Sequence, residues 1–330
     1  MMAVLARQEG TVQLVLLATT EASALREMTE ASVNACLCNL RAEASQAWAE
    51  AWKQRECCKL LQSSVEDMEQ IAQSDSIRLS VGDVGRTDAC QSKLEAQTLR
   101  NEWLAQKAEY KNALMNLSYM TSGEPISDME EEKLPIEGTE YTEPGIYDIA
   151  ENNRADLRAA ELSHTLSENN LKLVKASRAM EMGLNLGYSY NTIVRNEIAP
   201  APKFHGLSVG VSIPLKFSNA NKGELNAARN SILQSQQQYE AARQQVRLEV
   251  AQAYSSLQAA RQVLKEYDGT LLSDARNILE SRKEGYLKGE SSLLELLTAR
   301  QTYHDVMQAY IEACANCYIC EVHLKQAIGY

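Results

Sequence analysis

Apolar residues return at helical spacing along most of this chain, and in one region the period shortens to two. From about Thr20 to Ile77 the sequence is rich in Ala, Glu, Gln and Leu and free of proline, which predicts one long helix. Ser80-Val81-Gly82-Asp83-Val84-Gly85-Arg86-Thr87-Asp88 breaks it. The glycines supply the freedom a tight turn needs, and Thr87 or Asp88 is placed to cap the next helix, which runs to about Met120. Pro125, Pro135 and Pro144 then mark an extended connector, with Met129-Glu130-Glu131-Glu132 as a solvated acidic run. A further helix is expected from Asn153 to Met180.

After Gly183 the period becomes two. Leu184, Leu186, Tyr188 and Tyr190 alternate with Asn185, Gly187, Ser189 and Asn191. Beyond a loop with Pro200 and Pro202, Leu207, Val209, Val211 and Ile213 alternate with Ser208, Gly210, Ser212 and Pro214. Each stretch approaches the roughly nine to eleven residues of a tilted membrane-barrel strand, although a hairpin on a soluble core has the same alternation. From Gly223 to about Leu287 the helical pattern resumes. Val250, Leu257, Leu264, Leu271 and Ile278 recur every seven residues, beside a second series of Ile232, Tyr239, Val246, Ala253, Ala260 and Tyr267. Together they form the seam of a coiled coil. Lys288-Gly289-Glu290-Ser291-Ser292 turns the chain, and a last helix returns from Leu293 to Ala327.

The chain also repeats itself at an offset of about 206 residues. Leu40-Arg41-Ala42-Glu43-Ala44-Ser45-Gln46-Ala47-Trp48 answers Val246-Arg247-Leu248-Glu249-Val250-Ala251-Gln252-Ala253-Tyr254. Val81-Gly82 with Thr87-Asp88 answers Lys288-Gly289 with Leu294-Glu295, and Leu117 answers Leu324. The expected organisation is a first repeat over 1–120, a connector over 121–150 and a second repeat over 151–330 containing a β-hairpin at 184–217. The fold class is mainly α: long antiparallel helical hairpins suited to a barrel wall, with a short β-hairpin contributing to a membrane β-barrel.

Composition narrows the chemistry. A formal charge of -11 leaves no basic stripe for nucleic acid. No triad, phosphate loop or dinucleotide fingerprint is present, so no catalytic residue and no cofactor is predicted. Of the eight cysteines, Cys314, Cys317 and Cys320 have partial metal-motif spacing but sit in a helical pattern without a fourth ligand; packing residues are expected, with no metal. Val12–Ala18 is apolar but too poorly flanked for a signal peptide, so either the chain is cytosolic or its export signal lies outside it.

Several passages carry a family resemblance. Val81-Gly82-Asp83-Val84-Gly85-Arg86-Thr87-Asp88 resembles the turn of TolC-like outer-membrane efflux proteins, and Asn153-Arg154-Ala155-Asp156-Leu157 resembles the opening of their second repeat. Gly210-Val211-Ser212-Ile213-Pro214-Leu215, Asn221-Lys222-Gly223-Glu224-Leu225 and Tyr286–Glu295 are similar to the heavy-metal (CzcC and CusC type) branch. The resemblance implies a homotrimer forming an outer-membrane barrel that continues as a helical duct through the periplasm. The duct would meet a periplasmic adaptor protein and an inner-membrane pump of the RND type. It also implies a first β-hairpin before residue 20, where no alternation is found, so an N-terminal truncation or a degenerate start is expected.

On this reading Gly82, Asp83, Gly85, Thr87, Asp88, Gly289, Glu290, Ser291 and Glu295 form the periplasmic tip and adaptor contact. In a trimer the acids would form rings attractive to cations, while ordinary turn and helix-dipole chemistry explains the same residues equally well. Leu184, Leu186, Tyr188, Leu207, Val209, Val211 and Ile213 are the expected lipid-facing set. The rival from another class is a cytosolic coiled-coil interaction protein, which accounts for the cysteines but not for the paired glycine turns.

Overall fold

The computed structural model describes residues 2–121, 123–130, 134–136, 143–176, 183–191, 202–212, 222–267 and 270–330. Its elements are α1 (Met2–Val81), α2 (Arg86–Met120), α3 (Glu143–Asn153), α4 (Ala155–Ala176), β1 (Gly183–Asn191), β2 (Phe204–Ser212), α5 (Lys222–Tyr267), α6 (Leu271–Lys288) and α7 (Leu293–Ala327). Long antiparallel helical hairpins with one small two-stranded sheet are therefore the observed fold class, as the periodicity requires. The chain divides into two units, Met1–Val33 with Ala155–Gln244, and Asn34–Arg154 with Gln245–Tyr330.

The second unit holds most of the described core. Leu61, Val65, Met68 and Ile71 of α1 pack with Ala96 and Leu99 of α2, Tyr286 of α6, and Leu293 and Leu296 of α7. A second cluster joins Ile146 and Ala150 of α3 to Val246, Val250, Leu257 and Ala260 of α5 and to Cys317, Cys320 and Leu324 of α7. With 35 residues each, α2 and α7 are about 50 Å long. Such thin, extended cores are what narrow apolar stripes on long helices produce.

Several sequence expectations need correction. Over the expected single helix from 223 to 287 the described elements are two, α5 ending at Tyr267 and α6 starting at Leu271, and residues 268–269 lie outside the described residues. The seam correspondingly ends early: Leu257 is fully buried, whereas Leu271 and Ile278 are exposed. The connector, read as extended to 147, becomes α3 at Glu143, and Arg154 separates α3 from α4, so the expected 153–180 helix starts at Ala155. Pro144 suits the first turn of α3, where its missing N–H costs nothing.

In the acidic run Glu130 is exposed, as a solvated face requires, and Glu131 and Glu132 lie outside the described residues, but the backbone beside it is held. Arg55 of α1, 5% exposed, donates to the carbonyls of Met129 (3.2 Å) and Glu130. Nearby, Tyr110 Oη donates to Asp128 Oδ1 at 2.6 Å while Met129 N–H donates to the same carboxylate oxygen at 2.9 Å. Burial, then the Asp128 carboxylate, pushes the Tyr110 hydroxyl up to about 12. The hydrogen bond from Tyr110 holds Asp128 below its ordinary range.

Because the Tyr110 value is raised in the folded state, its contribution is complete below the ordinary tyrosine value near pH 10 and lost between there and about 12. The Asp128 contribution, from a lowered value, is lost instead as acid protonates the carboxylate. Protection of the Met129 amide, relative to its intrinsic exchange rate, is therefore expected to fall at both extremes, and Tyr110→Phe should abolish the alkaline limb of that loss. An unchanged alkaline limb in that variant would refute the assignment.

The cysteines split. Cys314, Cys317 and Cys320 are buried packing residues of α7, whereas Cys36 and Cys90 are exposed. Burial raises the Cys57 thiol to about 11, with Glu312 adding to the effect, so its thiolate is scarce at neutral pH.

Candidate functional site: the paired glycine turns

Two helix ends meet at one place in the second unit, and they are built alike. Gly82 (φ +81°) and Gly289 (φ +78°) both take the left-handed conformation, which an L side chain would strain. Around the first, Gly82 N–H donates to Leu79 O (3.2 Å) and Asp83 N–H to Arg78 O (2.9 Å). Around the second, Gly289 N–H donates to Tyr286 O (3.1 Å) and Glu290 N–H to Gly285 O (2.8 Å). Both are Schellman closures, in which the terminal carbonyls find partners within the turn. Positions related by about 207 residues thus have matching backbone geometry, as expected of a duplicated hairpin.

The returning helices start differently. Ser292 Oγ accepts from Glu295 N–H at 3.3 Å and Glu295 Oε2 accepts from Ser292 N–H at 3.4 Å, a complete capping box. Helix α2 instead begins after Gly85, which has ordinary φ (-69°) and no side-chain cap. Thr87 and Asp88, expected as caps, lie inside the first turn of α2. Only the helix dipole favours Asp88 there.

Polar contacts tie the turns together. Arg78 Nη1 donates to Tyr286 O at 3.3 Å, its guanidinium lies 5.6 Å from the Tyr286 ring centroid, and its Nε is 3.6 Å from Asp83 Oδ2. Beneath them Tyr286 Oη lies 2.9 Å from both oxygens of Asp75, which is fully buried. Burial, followed by the Asp75 carboxylate, holds the tyrosine hydroxyl protonated well above its usual range. Farther along, Lys283 Nζ reaches Asp67 Oδ1 at 2.6 Å and Arg300 Nη2 reaches Glu95 Oε1 at 2.5 Å.

All nine expected tip residues fall on or beside these turns, and Asp83, Asp88, Glu290 and Glu295 are exposed. Glu295 is already engaged by its cap and by Arg282 at 3.2 Å. Asp75, Arg78 and Tyr286, which bind the turns to each other, were not singled out from the sequence. Their signal was present but weak: a cation and a carboxylate three residues apart at a helix end, facing a tyrosine 208 and 211 positions later.

In the other unit β1 and β2 pair antiparallel, with Leu184 opposite Val211, Leu186 opposite Val209 and Tyr188 opposite Leu207. This register puts all the expected apolar residues that are described on one face. Leu186 is 71% exposed, Leu207 77% and Val209 63%. Ile213 lies outside the described residues. The opposite face is small and polar apart from Phe204 at its end, and Gly187 and Gly206 sit so close to Ser208 and Ser189 that an added Cβ would lie 2.6 and 2.7 Å from their hydroxyl oxygens. Among the described residues, no helix is long and apolar enough to cross a membrane.

Comparison with known proteins agrees with this geometry. The chain is 23% identical over 247 residues to the outer membrane protein TolC of Vibrio cholerae, covering 71% of this chain and 56% of the relative. It is 21% identical over 294 residues to the outer membrane efflux protein BepC of Brucella suis, covering 87% and 62%. The chain thus spans about 56–62% of the length of these curated relatives. The crystal structure of CusC superimposes with a TM-score of 0.77 at 17% identity, over 95% of this chain and 74% of CusC, which shows a common fold. The model of the family described as outer membrane efflux protein matches residues 146–330, more than half of the sequence, and the chain belongs to that family.

Proposed function

We propose that this chain is the outer-membrane duct subunit of a tripartite efflux system, a passive conduit and not an enzyme. Three copies enclose the lumen, the two repeats of each contributing neighbouring hairpins to the wall. The paired glycine turns form the periplasmic tip, where an adaptor protein docks and an RND-type inner-membrane pump supplies the driving force. The observation carrying this reading is the pair of equivalent Schellman turns braced by Arg78 and Tyr286 at the end of long hairpins, in a chain whose sheet exposes an apolar face. A soluble interaction protein has no use for that face, because uncovered apolar area of this kind is costly in water.

For the cargo, we favour metal ions or small toxic compounds. The heavy-metal assignment stands on the likeness around residues 206–225 and 286–295. The exposed tip acids suit cation passage.

The test is reconstitution of the full chain into planar bilayers, with restoration of metal tolerance in a bacterium lacking its own duct. Trimer-sized conducting units and restored tolerance are expected. A chain that forms no pores and stays monomeric in detergent would defeat the proposal.

A further inference from the structure

We infer that a slot between α1 and α7 binds a single-chain amphiphile with an anionic head, of the long-chain carboxylate class. The site is separate from the glycine turns and the β-hairpin, and its argument does not rest on the duct reading. The slot is a cavity of about 550 Å³, within the range of small-molecule pockets, and its lining is mostly apolar. All of it belongs to the second unit.

Helices α1 and α7 run antiparallel. Cys38 Sγ meets Tyr330 O at 3.1 Å, the Trp48 and Tyr318 rings lie 5.5 Å apart, and Ile71 shares a core cluster with Leu296. Along this line the core is interrupted. Between Ala299 and Ile311 no apolar residue of α7 is buried, and Tyr303, Met307 and Tyr310 are half-buried. Spacings of four and three put those side chains on one face of the helix, and all three line the slot.

The dimensions select the occupant. From Asp67, towards the turns, to Trp52, beside the connector residue Leu134, the lining of α1 extends about 22 Å. Spread over that length, the volume gives a mean cross-section of roughly 25 Å², or a width of about 5 Å. A helix with its side chains is about 10 Å across and does not fit. One extended alkyl chain does.

Charge then selects the head group. The lining cations are Lys59, Lys283 and Arg300, against Glu56 and Asp67. Lys59 lies 3.4 Å from Glu56, and Arg300 is committed to Glu95 of α2. Lys283 donates to Asp67 Oδ1 at 2.6 Å and has no other partner among the described residues. An ammonium carries three donors, so two remain for a ligand. A carboxylate is held at Lys283, and its chain lies along the Tyr303–Met307–Tyr310 stripe towards Trp52.

Quenching of the native tryptophans by bromine tests this on the full chain in phosphatidylcholine nanodiscs. Saturable quenching by 16-bromohexadecanoate is expected, at least twofold stronger at saturation than by 2-bromohexadecanoate, because only the first puts bromine beside Trp52. Hexadecyltrimethylammonium should not compete. Lys283→Gln should weaken binding about tenfold, the worth of one charge-assisted hydrogen bond. Ser63→Phe, which adds bulk to the lining at an exposed position, should abolish it while keeping the parental circular dichroism. Equal affinity for the cationic amphiphile, or binding unchanged in both variants, would overturn the inference. So would a lack of saturable quenching, the result if a neighbouring subunit fills the slot.

Discussion

Arg300→Met is expected to destabilise the protein by about 3 kcal/mol, with most of the loss recovered by adding Glu95→Leu. The Arg300 side chain is 10% exposed and Glu95 23%, and their contact is 2.5 Å. Truncating the arginine leaves a carboxylate in a partly dry environment without its cation. Arg300 Nε is also buried without a hydrogen-bond partner, so the intact pair is not fully compensated. For that reason an apolar pair of similar volume should come within about 1 kcal/mol of the parent. Urea midpoints of the parent, both single variants and the double variant form the cycle. A lone Arg300→Met with the parental midpoint would show that the bridge contributes nothing.

Tyr286→Phe is the second large effect, at about 2 kcal/mol, concentrated at the turns. Asp75 is 0% exposed and both its oxygens lie 2.9 Å from the hydroxyl that the variant removes. An orphaned buried carboxylate costs more than the average worth of the bond lost. Adding Asp75→Ala should therefore recover part of the stability, since it removes the stranded charge. Amide exchange over residues 78–90 and 282–296 is expected to rise in Tyr286→Phe, while the α3–α5–α7 core keeps its protection. Uniform exchange throughout the protein would mean that Tyr286 contributes global stability and does not specifically join the turns. The same link is expected to weaken in alkali, because a raised tyrosine value means stability that is complete below about pH 10 and declines above it.

The helical hairpins, the two glycine turns and the strand pair were readable because each depends on short-range rules. Long proline-free stretches with helical periodicity left little choice for α1, α2 and α7, whose ends at Met120 and Ala327 agree with the reading. Alternation at Leu184–Tyr190 and Leu207–Val211 prescribed one apolar face, and the register joins those residues on it. Even repeat counterparts do not share environments, however. Val246 is buried at 2% while its equivalent Leu40 is 50% exposed. Duplication conserves local pattern, whereas burial depends on which neighbouring helix arrives.

The sequence alone determined the period of each segment, the sites where glycine must turn the chain and the absence of any catalytic motif, because these follow from backbone sterics and side-chain type. Only the tertiary structure decided that Asp75, Arg78 and Tyr286 converge and that Arg55 clamps the connector. Those contacts join residues up to 211 positions apart. Their stability comes from mutual desolvation, which a local pattern does not encode.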